Sequence, residues 1–389
     1  MWNIQFMSAK PIWPQNMESE KNLFVGFRAV FESPECEKVF LRVTASSLYR
    51  AFVNGEFFGY GPARAPHGWF RVDLWDLTPY LRPGNNVVAI EVAGYNVNSY
   101  YVLDQPSFLQ AEVTAQGKVL ASTAGTGMQF EATVLTERLR KVQRYSFQRS
   151  FIEVYRLSPN YSRWRKDPEA IFPRVPCSVL PEKRLLPRRA PYPNFTLRAP
   201  LRLLSYGNIL KVEKVEHPRK VRSLTDVGPK LKGYPEEELE KIPSIELQSF
   251  KISKKIDVDK PFAPTSVLEL HEKTFHIVDF GANLTGFIGA RVRCKRPTHL
   301  YMVFDEILSN GDVDWMRLGC INIVTYEMPE GIFNIESFEP YTLRYLKIIV
   351  TEGECEVENI YIREYANPDV WRAHFASSDQ RLNRLFEIY

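Results

Sequence analysis

Apolar and polar positions alternate with a period of two through the first third of the chain. Val39, Leu41, Val43 and Ala45 alternate with Phe40, Arg42 and Thr44, as expected when the two faces of a strand meet different surroundings. Tyr49–Val53 runs into Asn54-Gly55, two residues that tolerate positive φ and so predict a tight hairpin turn. Phe57–Tyr60 supplies the return strand. Pro83-Gly84 interrupts the chain before Val87–Val92, where Val88, Ile90 and Val92 alternate with Ala89 and Glu91. Phe108–Val113 and Val119–Ala121 flank a second turn-like pair, Gln116-Gly117. Short strands separated by frequent turns predict an antiparallel sandwich over residues 1–135.

The pattern degrades over residues 136–249. Pro173, Pro176, Pro181, Pro187, Pro191, Pro193 and Pro200 fall among Lys183, Arg184, Arg188 and Arg189. Proline cannot donate to a ladder and restricts the residue before it, so this stretch is expected to be an extended, irregular connector. Strand text resumes near Phe250, with Phe275–Phe280, Gly286–Arg293, Thr298–Asp305, Cys320–Glu327, Leu343–Val350 and Glu356–Arg363 forming a second sandwich over 250–365. Asn310-Gly311 marks a turn within it. The fold class is therefore mainly β: two antiparallel, jelly-roll-like sandwiches joined by a Pro-rich segment. Over 366–389 the period shifts. Ser377-Ser378-Asp379 can cap a helix, and Leu382, Leu385, Phe386 and Tyr389 recur at helical spacing. That apolar stripe is expected to dock on the second sandwich, to pair with a second copy as a homodimer, or to fray.

Composition narrows the function classes. A chain of 389 residues is long enough for two or three domains. Its formal charge of +4 calls for neither nucleic acid nor an anionic membrane as partner, and the local basic cluster is offset by Pro235–Glu240. No apolar run approaches the roughly 20 residues that span a bilayer. Met1–Met17 lacks the pattern of a secretory signal, which leaves the compartment, cytoplasmic or periplasmic, open. The five cysteines, Cys36, Cys177, Cys294, Cys320 and Cys355, form no CxxC pair and read as buried free thiols. His271 and His276 stand five apart in strand-like text, which does not fit the metalloprotease motif. No metal and no cofactor is expected.

The candidate chemistry lies between Trp69 and Tyr101. Sugars present apolar C–H faces beside hydroxyls, so aromatic platforms with nearby amides suit them. Trp69, Tyr95, Asn96, Asn98, Tyr100 and Tyr101 form the candidate carbohydrate-binding set. Large aromatics are also the usual filling of a sandwich core, and Trp75 in strand-like text reads that way. Tyr95–Tyr101 reads as a loop, and loops carry binding residues.

Several motifs in order carry a resemblance. Asp279-Phe280-Gly281-Ala282-Asn283-Leu284-Thr285-Gly286 resembles a segment of bacterial α-L-rhamnosidases of glycoside hydrolase family 78. Phe304-Asp305-Glu306-Ile307-Leu308 with Asn310-Gly311, and Phe338-Glu339-Pro340 followed by Arg344-Tyr345, are similar to later stretches of that family. Phe375-Ala376-Ser377-Ser378-Asp379 with Leu382-Asn383 resembles the opening of its catalytic (α/α)6 barrel. Tyr49-Arg50, Val53-Asn54-Gly55, Gly61-Pro62-Ala63-Arg64, Asp73, Asp76-Leu77-Thr78 and Gly84-Asn85-Asn86-Val87 resemble its first sandwich module. The resemblance implies inverting hydrolysis of terminal α-L-rhamnosides, with a rhamnose-containing oligo- or polysaccharide as partner. The family's acid-rich Arg-Asp-Glu and Trp-x-Gly-Asp motifs do not occur here, so no catalytic residue is assigned and this segment alone is expected to be inactive. The alternative is a carbohydrate-binding or structural sandwich protein without catalytic activity.

Overall fold

The computed structural model describes residues 4–34, 38–212, 215, 218–224, 228, 231, 233–370 and 373–388; Cys36 and Tyr389 lie outside these. Two sheets face each other in the first unit. One runs in the order Met128–Gln129, Lys118–Ser122, Leu109–Ala115, Val39–Ala45, Trp69–Asp76 and Arg184–Pro187, with Ile12–Pro14 and Cys177–Val179 at its side. The other runs Glu131–Val134, Leu23–Glu32, Asn85–Gly94, Tyr49–Val53 and Glu56–Gly61. The alternation explains the core: Val39, Leu41 and Val43 meet Val25, Phe27, Ile90 and Val92 across the gap. The Asn54-Gly55 turn forms as expected, with φ of 52° and 84°, and Gln116-Gly117 and Asn310-Gly311 repeat the pattern.

The second unit is a nine-stranded sheet system dominated by two very long strands, Thr274–Asp305 and Tyr341–Glu364, paired antiparallel along most of their length. Phe275–Phe280, Gly286–Arg293 and Thr298–Asp305 are thus successive legs of one bent strand. Register shifts between the legs carry the bends. At one of them Gly286 has no substitute, because a Cβ there would meet the Arg363 carbonyl oxygen at 2.1 Å.

The Pro-rich segment contributes short strands to both units. Arg184–Pro187 lies parallel to Trp69–Asp76, and Cys177–Val179 pairs with Ile12–Pro14. Glu153–Arg156 lies parallel to Ile323–Met328, and Arg202–Lys211 sits between Phe250–Pro261 and Thr274–Asp305 in the second sheet system. Two of its basic residues pin it to carboxylates of the first unit's strands. Arg188 reaches the buried carboxylate of Asp73 at 3.0 Å, and Arg165 reaches Glu91 at 2.9 Å. Burial raises Glu91, but Arg50 and Arg165 outweigh it and hold the carboxyl below its ordinary value.

The two units share a seam. Alternate residues of Leu23–Glu32 and Asn85–Gly94 point away from the first core, and these too are apolar: Phe24, Val87, Ala89 and Ala93 pack toward the second unit. Phe24 meets Phe338 with ring centroids 4.8 Å apart, and Tyr60 meets Phe287 at 4.9 Å. Within the seam Glu153 is fully buried. Its carboxylate accepts the amides of Phe338 (2.7 Å) and Glu339 (2.9 Å), and the hydroxyls of Tyr341 (2.8 Å) and Tyr155. Arg138, itself buried, supplies the countercharge at 3.4 Å.

The C-terminal helix, Gln380–Ile388, starts as expected: Asp379 caps it by accepting the Arg381 amide at 2.9 Å. Phe375 contacts Phe386 at 5.3 Å, while Leu382, Leu385 and Phe386 remain 48%, 52% and 41% exposed. Among the described residues the stripe stays open to solvent rather than docking on the second sandwich. Cys294 and Cys355 are buried register partners, and Cys177 and Cys320 are half-buried.

Two outcomes follow from this packing. Leu385→Glu with Phe386→Glu should leave the melting temperature of the sandwiches unchanged and abolish any self-association seen by sedimentation. Glu137 tests the seam. Burial raises its carboxyl and its own backbone amide opposes this; neighbouring Glu91 adds to the rise against Arg165 and Arg50, leaving it at about 7, above its ordinary 4.5. The stability it contributes is full below pH 4.5 and is lost as pH rises through 7. Glu137→Gln should therefore gain on the order of 1 kcal/mol over the parent at pH 8 and nothing at pH 4, measured by urea denaturation.

Candidate functional site

The site is built from two loops on the first sandwich. One, residues 62–68, links Glu56–Gly61 to Trp69–Asp76; the other, residues 95–107, follows Asn85–Gly94. Proline and glycine in Pro62, Pro66 and Gly68 keep the first loop out of the ladder, and Gly68 turns at φ +77° with open space around its Cβ position. Between the loops lies a cavity of about 270 Å³.

The structure separates the six residues expected to bind sugar. Trp69, Tyr100 and Tyr101 line the cavity. Trp69 is 39% exposed and Tyr100 73%. Tyr101 is half-buried, with Arg64 over its ring at 5.6 Å, and donates its hydroxyl to Glu339 at 2.8 Å. Tyr95 and Asn96 are buried instead. Tyr95 donates to the same Glu339 carboxylate, and Asn96 donates to the carbonyls of Glu18 (2.8 Å) and Gln105 (3.1 Å). Both pack rather than meet solvent. Asn98 is half-buried and shapes the loop, accepting the Asp104 amide at 3.0 Å. Trp75 is a packing residue whose indole donates to the Tyr49 hydroxyl at 2.8 Å.

Sequence reasoning missed the charged part of the lining, Arg64, His67 and Arg71. Arg71 donates Nε to the Arg64 carbonyl at 2.6 Å and Nη1 to the Pro187 carbonyl at 2.7 Å, so it ties the loop to the connector strand. The signal that points to Arg64 is Gly61-Pro62-Ala63-Arg64, a motif that carries the resemblance. The nearby Gln105 side chain donates to the Ser46 carbonyl at 2.6 Å.

Two other cavities carry charges that are already engaged. In one, of about 640 Å³, Arg28 donates to the carbonyls of Asp167, Pro168 and Ala170, and Arg174 pairs with Glu131. In the other, of about 380 Å³, Arg156 and Lys241 both pair with Glu327. Despite its burial, the two cations hold Glu327 below the ordinary carboxylate value, so it suits no role as a general acid. No group of three or more metal-ligating side chains occurs among the described residues, nor does any helix there long and apolar enough to cross a membrane.

No protein-family model and no curated protein matches the sequence. Solved structures do. A family 78 rhamnosidase of Bacillus sp. GL1 aligns with 98% of this chain and 57% of its own at 19% identity and a TM-score of 0.76. The fold is that of a glycoside hydrolase family 78 rhamnosidase. An α-L-rhamnosidase from Aspergillus terreus aligns with 90% of this chain and 36% of its own, at 16% identity and a TM-score of 0.53. The chain therefore spans from about a third to little more than half the length of these two rhamnosidases. The motifs that carry the resemblance have physical roles in this fold. Asp279 takes Arg344 in a two-pronged pair, both contacts 2.9 Å, and accepts the Gly281 amide at 2.6 Å. Asp305 holds Arg317 at 2.7 Å. Phe338-Glu339-Pro340 forms the seam between units.

The two classes of tyrosine should separate experimentally. Tyr95→Phe leaves the buried Glu339 short of a donor and should cost about 1–2 kcal/mol of stability. Tyr100→Ala, at an exposed site, should change stability by less than about 0.5 kcal/mol. Equal losses in thermal melts would contradict this division.

Proposed function

We propose that this chain is the non-catalytic β portion of an α-L-rhamnosidase-like glycoside hydrolase, and that its Trp69–Tyr100 cavity contacts saccharide. The reading is carried by the superposition of 98% of the chain on a family 78 rhamnosidase. In the inverting hydrolysis this reading entails, one carboxylic acid protonates the leaving oxygen and a carboxylate activates water about 6.5–9.5 Å away. None of this chain's residues is assigned either role; the catalytic groups belong to another part of the enzyme. What the chain supplies is a rigid support and a surface. Trp69 and Tyr100 offer apolar rings to sugar C–H faces, and the arginines beside them donate to hydroxyls.

A carbohydrate-binding protein with no hydrolase partner is the second reading, favoured by the same exposed rings. Two measurements test the proposal. The chain alone should release no product from an aryl α-L-rhamnoside; turnover that persists through repurification would place the catalytic groups here and refute it. Protein-observed NMR with methyl α-L-rhamnoside should show shifts around residues 64–71 and 99–105. Trp69→Ala should weaken that binding about two- to tenfold, since an aromatic contact is worth roughly 0.5–1.5 kcal/mol. Shifts confined to other surfaces would remove the cavity from the proposal.

A further inference from the structure

The lining of the Trp69–Tyr100 cavity has a one-sided charge. Arg64 and Arg71 supply it, and no aspartate or glutamate lines the cavity. The carboxylate that contacts this lining, Glu339, lies behind Tyr101, is buried, and is matched by Arg149 at 3.5 Å. Asp104 belongs to the same loop but not to the lining. Arg184 reinforces the sign from the side, with its guanidinium 5.8 Å from the Trp69 ring. In the two other cavities described above, each arginine pairs with a carboxylate or donates to carbonyls that fix it in place. Here the exposed Arg64 has its charge over a tyrosine ring and, among the described residues, pairs with no carboxylate.

From this juxtaposition we propose that the cavity takes an anionic saccharide, a sugar unit carrying a carboxylate such as a uronate residue. The inference rests on the reading of the cavity as a sugar site and adds the charge class of its ligand. Aromatic rings alone bind neutral and acidic sugars alike. Guanidinium groups discriminate, because their planar fork of donors matches a carboxylate and these charge-assisted bonds are stronger than neutral ones. Arg71 is engaged much as the arginines of the other two cavities are, through the Arg64 and Pro187 carbonyls, which leaves Arg64 as the cation that meets the carboxylate. The fixation of Arg71 also positions the Arg64 backbone. Arg64, on the loop, is free to close on the carboxylate. Such selection fits an open cavity of about 270 Å³, which accommodates a single sugar unit with its neighbours left in solvent.

The test uses two probes of one shape and different charge, a digalacturonic acid and its fully methyl-esterified form, titrated into the whole chain by calorimetry. The acid should bind roughly three- to tenfold more tightly at low salt, a range that allows for screening at an exposed site, and its advantage should shrink as salt is added. Arg64→Gln should cost the acid more affinity than the ester and so erase most of the acid's advantage, while Trp69→Ala should weaken both. Equal affinities for acid and ester would overturn the charge inference and leave the sugar site standing. Failure of either probe, and of methyl α-L-rhamnoside, to bind would overturn the sugar site and the inference with it. Acid binding that neither variant alters would place the anion elsewhere on the surface and likewise overturn the inference.

Discussion

The molecule is organised around a buried carboxylate. Glu153 sits where water is excluded, and an ionised group there is costly unless it is paired and hydrogen-bonded. Every lone pair it presents finds a donor: two backbone amides from the 338–339 turn, two tyrosine hydroxyls, and the Arg138 guanidinium nearby. The turn is thereby fixed relative to a strand of the connecting segment. Phe338, carried on that turn, fills the space beside Phe24 and Tyr60 of the first sandwich. Removing one partner of such a set leaves the other charged and unmatched, a loss of about 3–5 kcal/mol where it has been measured in buried pairs.

The same turn links the seam to the surface. Glu339 follows Phe338 and accepts the hydroxyls of both Tyr95 and Tyr101. Tyr95 is wholly internal, whereas Tyr101 shows one part of its ring to the cavity. The loop that carries Tyr100 is therefore anchored on either side of its exposed ring: Tyr101 reaches the second unit, and the Tyr100 amide donates to the Gln148 carbonyl at 3.0 Å. A loop held this way keeps the exposed Tyr100 ring at one place on the surface. The cavity belongs to the first sandwich by its lining, but its rigidity comes from contact with the second.

The connector has an equally physical role. Its prolines confine the stretch before Pro200 to short strands interspersed with pinning side chains, and the ten-residue strand Arg202–Lys211 begins only beyond them. Arg188 on Asp73 and Tyr192 on the backbone of Leu74 hold it to the first unit. Arg202–Lys211 carries it into the second sheet system. Basic character in this stretch serves attachment at these points, and at Arg184 it borders the cavity.

Much of the architecture was readable from the chain because its signals are local. Alternation identified the strands, positive-φ pairs fixed the hairpins, and Ser377-Ser378-Asp379 announced the last helix, whose cap is Asp379. Contacts distant in sequence were not readable in the same way. The three segments between Phe275 and Asp305 read as separate strands because a bend maintained by register shifts leaves the same local pattern as a turn. Leu23–Glu32 is apolar on both faces, and only the docking of a second unit explains the second face. Within the loop, the sequence placed Tyr95, Tyr100 and Tyr101 in one aromatic cluster. Which of them points inward depends on where Glu339, over two hundred residues away, sets its carboxylate. The sequence by itself determined strands, turns and a supply of aromatic side chains. The tertiary structure decided which aromatics face solvent and which arginines stand beside them, because burial and charge pairing are properties of the folded neighbourhood.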